Sequence, residues 1–235
     1  MNESCTVSNP PVDLFTPLDP ENPEPPSWIG GTSESAERVG DSFLAAADIL
    51  AEAWRSERGR DQELSIALPI IQNYRHAIEL ILKAQCLHVR RLIRLGRRMG
   101  IGGDTEPDNL EAQLGTHAIA DLVKILDALM VGINPGETSG EFPEDVAQTL
   151  KYLHDLDAAG MAFRYATQPV PGTKRKVWEP VRPDATPIHL DSAITRLHDA
   201  AKLLTWGLGG FLDAYEDFLQ DRLLEYSENM RSYNL

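Results

Sequence analysis

The stretch Asn73–Ala84 reads NYRHAIELILKA, and four of its side chains, Arg75, His76, Glu79 and Lys83, are costly to bury alone. Gln72, His76, Glu79 and Lys83 are spaced four, three and four residues apart, so a helix sets them in one polar stripe with Arg75 at its flank. The remaining faces carry Ile70, Ile71, Tyr74, Ile78, Ile81 and Leu82, which marks a central helix rather than a surface one. The stripe then faces a narrow solvent channel, a partner subunit or a cleft. Two later stretches repeat the same residue types. GTHAIADL puts His117 in the first turn of a helix, and LHDLDAAGMAFRYA puts His154, Asp155 and Asp157 at a helix end with Arg164 and Tyr165 just beyond. Histidine can carry a proton and arginine can stabilise the negative charge that develops as it moves. Singly, each histidine is more often a hydrogen-bonded structural residue than a catalyst. Together, Arg75, His76, His117 and Arg164 can converge in one bundle cavity and are the candidate catalytic groups, with Glu79 and Lys83 as binding groups beside them.

Further cations follow. Arg90, Arg94, Arg97 and Arg98, with Arg91 among them, end the same helix at spacings that keep most of them on nearby faces. They are either a solvated helix end matched to the macrodipole or a patch for phosphate groups. GTKRKVW places Lys174, Arg175 and Lys176 beside a tryptophan, either a solvated hairpin tip or a contact for RNA or a nucleotide. No Walker loop, GxGxxG, HExxH, CxxC or GxSxG occurs. Cys5 and Cys86 have neither metal spacing nor a disulfide framework, and no cofactor is expected.

Helices must position these groups. The first is expected after TSESAE, with Ser33 or Ser35 as cap, and its apolar residues from Val39 to Trp54 recur at helical spacing before RSERGR. The second spans about 63–98, and Pro69 either kinks it or begins its main body. A third runs from about Thr116 to Val131, and a fourth from Pro143 to about Met161. The stretch 162–190 reads as an irregular insertion, in which FRYAT and KVWEPV can pair as a small hairpin. The last helix extends from Asp191 to about Met230 and carries WGLGGF, whose glycines point to close packing or a kink, with ligand approach as the lesser reading. The expected class is all-α, an antiparallel bundle of four to five helices over 34–235.

Residues 1–33 form a Pro-rich acidic leader, extended or disordered, although Leu14, Phe15, Leu18, Trp28 and Ile29 can dock it on a surface or a protein partner. The formal net charge is −14, and the residues before Arg38 hold seven acids and no Lys or Arg. This discourages broad binding to nucleic acid or an anionic membrane but leaves room for a local basic patch. The N-terminus has no signal-peptide pattern, and no run approaches about 18 apolar residues, so a cytoplasmic location and no membrane span are expected.

Taken in order, YRHAIELILKA, THAIADLVKIL and LHDLDAAGMAFRYAT resemble the pattern of bacterial HEPN-like helical proteins, in which an RHALEL-LK helix precedes GH-L--L and LD--S--FRYP. The resemblance covers roughly residues 70–168, with Thr116, Gly160 and Ala166 replacing the pattern's Gly, Ser and Pro. It implies an RNA-handling homodimer. Many such domains are metal-independent ribonucleases, and several act as toxins or phage-defence effectors. In them a histidine moves a proton at the ribose 2′-hydroxyl or the leaving oxygen while an arginine stabilises the phosphorane. The family's Arg-x4-6-His motif has one match here, Arg182-x6-His189, interrupted by prolines 183 and 187, so the adjacent Arg75–His76 pair is the better candidate, assisted by Arg164 and His117. The alternative is a non-catalytic interaction module in which the stripe is a salt-bridge network that sets helix register.

Overall fold

The apolar periodicity builds helices almost throughout. The computed structural model describes residues 35–56, 63–101, 107–133, 142–160, 162–165, 167–170, 178–181 and 187–233. The acidic leader, Lys174, Arg175, Lys176 and Arg182 lie outside them. The described elements are α1 (Ala36–Ser56), α2 (Glu63–Arg97), the single turn α3 (Leu110–Gln113), α4 (Ile119–Ile133), α5 (Glu144–Leu156), β1 (Thr167–Pro169), β2 (Trp178–Pro180), α6 (Leu190–Lys202), a π-helical segment (Leu203–Leu208) and α7 (Gly209–Tyr233). The fold class is all-α, and the described residues add one small hairpin.

Helix α2 is the central element. Ile70, Ile71, Tyr74, Ala77, Ile78, Ile81, Leu82, Val89 and Leu92 are all buried, and α1, α4, α6 and α7 pack around it. Burying apolar area on several faces of one helix is the main favourable term in such a bundle. The helix runs through Pro69, whose carbonyl accepts a bond of 2.7 Å from the Asn73 amide. The helix therefore does not begin at the proline.

Three boundaries and one added turn differ from the expectations. Helix α4 starts at Ile119, leaving His117 in the segment before it, where Thr116 Oγ1 accepts the Ala118 N–H at 3.0 Å. Helix α5 ends at Leu156 rather than near Met161, because Asp157 leaves the helical region (φ −154°) to take up a buried ion pair. The hairpin pairs Thr167, the last residue of FRYAT, with Pro180 and Pro169 with Trp178, while Phe163, Arg164 and Tyr165 lie before the strand. The short turn α3 carries too little apolar periodicity to be anticipated.

The expected last helix is interrupted by the π segment at WGLGGF. A π turn pairs residues i and i+5 and so widens the backbone. Buried Gln85 of α2 donates its amide to the Leu204 carbonyl at 3.2 Å, and a Cβ on Gly209 would lie 3.2 Å from that same amide nitrogen. Close packing explains this glycine.

Candidate functional site

The three sequence blocks meet at one buried guanidinium. Arg75, on α2, is fully buried. Its Nη1 donates to Glu79 Oε2 at 3.0 Å, one turn along the same helix. Its Nη2 donates to the His117 carbonyl at 2.7 Å and to the Asp157 carbonyl at 3.1 Å. Its Nε lies 3.0 Å from Asp157 Oδ2, as an ion pair rather than an aligned hydrogen bond. Asp157 Oδ1 accepts the Ala162 N–H at 2.8 Å, which ties down the loop leading to Arg164. A buried charge is tolerated only when it is paired and hydrogen-bonded, and Arg75 meets both conditions.

Gly160 makes room for this arrangement. Its φ is +73°, and a Cβ there would approach His117 Cβ to 2.9 Å and Arg75 Nη2 to 3.1 Å. Positive φ is unfavourable for residues with a side chain, and here the space is also filled.

Glu79 is the second hub. It is 1% exposed. Its Oε1 receives Lys83 Nζ at 3.0 Å and His117 Nδ1 at 2.8 Å, and its Oε2 lies 4.0 Å from Arg164 Nη2. Burial pushes its carboxyl pKa up, but the bonds from His117 and Lys83 outweigh that and hold it below the usual carboxylate value. An ionised carboxylate only accepts, so His117 donates through Nδ1. The neutral ring therefore carries its lone pair on Nε2, and the His117 side chain is 51% exposed. A carboxylate that fixes the tautomer of a half-exposed histidine is the arrangement that prepares a general base.

His76 differs. Arg164 Nη2 lies 3.0 Å from His76 Nδ1, and a guanidinium can only donate, so Nδ1 must accept. Phe43 of α1 packs edge-on against the ring, with centroids 4.4 Å apart. Burial lowers the His76 pKa, Glu79 opposes that, and Arg164, Arg75 and Lys83 add to the lowering. His76 is thus a neutral acceptor that orients Arg164, whose side chain is 29% exposed.

The structure thus brings Arg75, His76, Glu79, Lys83, His117 and Arg164 together, but at two depths. Arg75 and Glu79 form the floor, with Asp157. His117, Arg164, His76 and Lys83 form the rim. The expectation that Arg75 contacts a substrate is corrected here, since a guanidinium without exposed surface has no path to a phosphate. Glu79 likewise holds its neighbours rather than a ligand. Asp157 was not singled out as a partner of Arg75, although its position inside the third block was a usable signal.

The arginine run is largely engaged. Arg90 pairs with Glu111, and Arg91 pairs with Glu216, which also lies 3.1 Å from His88 Nε2. Arg94 and Arg98 are exposed. His189, the described half of the Arg182–His189 match, directly precedes α6 and is far from a mid-helix setting. A second polar junction was also missed: Tyr74 O–H donates to Asp48 Oδ1 at 2.6 Å, and His198 Nδ1 lies 2.8 Å from the same oxygen, joining α1, α2 and α6. Burial and the Asp48 carboxylate raise the Tyr74 pKa, so it remains a phenol.

Among the described residues, no three His, Cys, Asp or Glu side chains are grouped to hold a metal ion, and no helix is long and apolar enough to cross a membrane. No protein-family model, curated protein or solved structure matches the chain.

Proposed function

We propose that the chain is a HEPN-like RNA-handling protein whose rim of His117, Arg164 and Lys83 receives a phosphodiester, with endoribonuclease chemistry as the reaction. The observation that supports this most is the Glu79–His117 contact of 2.8 Å, which leaves the His117 Nε2 lone pair on a half-exposed ring beside two permanent cations. In this reading His117 takes the proton of the ribose 2′-hydroxyl, the resulting oxygen attacks phosphorus, and Arg164 and Lys83 stabilise the added charge. The leaving 5′ oxygen takes its proton from solvent. His76 positions Arg164 and does not itself transfer a proton. The reading also expects two copies to associate; exposed Phe211 and Phe218 on α7, each stacked against the partly buried Tyr215, are compatible with that.

The test is cleavage of single-stranded RNA in the presence of a chelator by wild type, His117→Ala and Arg164→Ala. Cleavage by wild type, lost in both variants while their melting curves stay near wild type, supports the reading. Cleavage that survives both substitutions overturns the site.

The full burial of the Arg75 guanidinium, held by two carboxylates and two backbone carbonyls, favours a second reading, a non-catalytic helical interaction module in which this network fixes how three segments meet. It requires that wild type neither cleave nor bind RNA, so the same assay separates the two.

A further inference from the structure

A separate site lies between α5 and the start of α6, on residues that the RNA reading does not use. We propose that this cleft binds a small carboxylic acid with an apolar body. Its floor is Ile71, Leu153 and Leu197, all buried, with Leu156 and Ile188 alongside, and it encloses about 200 Å³. At its edge stands Arg196. Its Nε donates to Thr149 Oγ1 at 3.2 Å, while the buried Thr149 hydroxyl donates to the Asp145 carbonyl at 2.7 Å. This relay orients the guanidinium and leaves its two Nη groups for another acceptor.

The charge pattern selects the acceptor. Among the described residues no carboxylate pairs with Arg196. Among the described residues no Asp or Glu lines the cleft either. A fixed, acid-free arginine at the lip of an apolar pocket suits an anion, and its planar pair of N–H groups matches a carboxylate. The apolar floor asks for a hydrocarbon or aromatic body, which inorganic phosphate lacks. The volume is below the roughly 300–1,000 Å³ of pockets that hold drug-sized ligands, so the ligand is fragment-sized.

Thermal shift and calorimetry with octanoate, phenylacetate and 4-phenylbutyrate test this, with 4-phenylbutyramide and inorganic phosphate as controls. At about ten times its dissociation constant, at least one acid is expected to raise Tm by about 3 °C. The amide and phosphate should bind at least about tenfold more weakly. Arg196→Met, at an exposed position, should bring the acid down to the level of the amide, and Ala193→Phe, which fills the cleft, should abolish binding. Backbone amide resonances of 149–156 and 188–197 should shift with the acid and not with phosphate. No binding by any of the three acids, equal affinity for acid and amide, or unchanged binding in Arg196→Met each overturns the proposal.

Discussion

At the residue scale, Arg75 and Arg164 lie in one cluster yet have opposite expected sensitivities. Arg75→Ala leaves Glu79 and Asp157 buried without their shared cation, and breaking such a pair costs about 3–5 kcal/mol. Arg164→Ala removes a partly exposed side chain whose closest partner is His76, and the loss in stability should stay below about 1 kcal/mol. Urea denaturation of the two variants measures the contrast, and equal losses would contradict the division into floor and rim. Gly160→Ala should cost about 1–3 kcal/mol from its positive φ, with the contact to His117 adding to that. The pH response follows from His76 and Glu79. Folding holds the His76 pKa below its ordinary 6.5, so the unfolded chain takes up that proton first. The stability from neutral His76 is therefore complete above 6.5 and is lost as pH falls toward the folded value. Glu79, held below 4.5, adds a second loss in the same direction as pH falls through its own folded value. Melting temperatures between about pH 7.5 and pH 5 should decline in wild type and flatten in His76→Gln. The residue types at this site were legible in the sequence because three polar blocks interrupted apolar helices. Their depth was not, because spacing along α2 puts Arg75 beside His76 without saying which one the loop at Asp157 covers.

At the element scale, the long helices were readable because the apolar residues of α1, α2 and α4 repeat at helical spacing and nothing in the tertiary structure overrides them. The places that escaped reading are those where another element decides. Helix α5 stops at Leu156 because Arg75, on α2, claims Asp157. The π segment forms where Gln85, again on α2, offers a donor to the Leu204 carbonyl. Neither partner is local in sequence, so no local pattern could announce them. Gln85→Leu should then cost about 1 kcal/mol, since it removes the hydrogen bond that ties α2 to the π segment. Gln85→Glu, of equal length but without an amide donor, should cost at least as much. A shift in the urea midpoint at constant slope would register both, and two variants as stable as wild type would show that the π turn does not depend on this bond.

At the scale of the whole molecule, the charge sets how RNA must be held if it is held at all. A formal net charge of −14 repels a polyanion at long range, so attraction has to come from a small local set of cations. The arginine run on α2 contributes less than its length implies, since Arg90 and Arg91 are matched by Glu111 and Glu216. The rim supplies two permanent cations, Lys83 and Arg164, and Lys83 already leans on Glu79. Each phosphate neutralised on a single strand contributes a slope of about −0.7 to the dependence of log affinity on log salt. Two contacts predict a total slope of about −1.4, shallow for a nucleic-acid-binding protein. Titration of a short single-stranded RNA over a range of salt measures it, and Arg164→Ala should remove about half of the slope. A slope of about −4 or steeper, unchanged in Arg164→Ala, would instead move the phosphate contacts to the arginine run or to Lys174, Arg175 and Lys176, and would detach RNA binding from the Glu79–His117 centre.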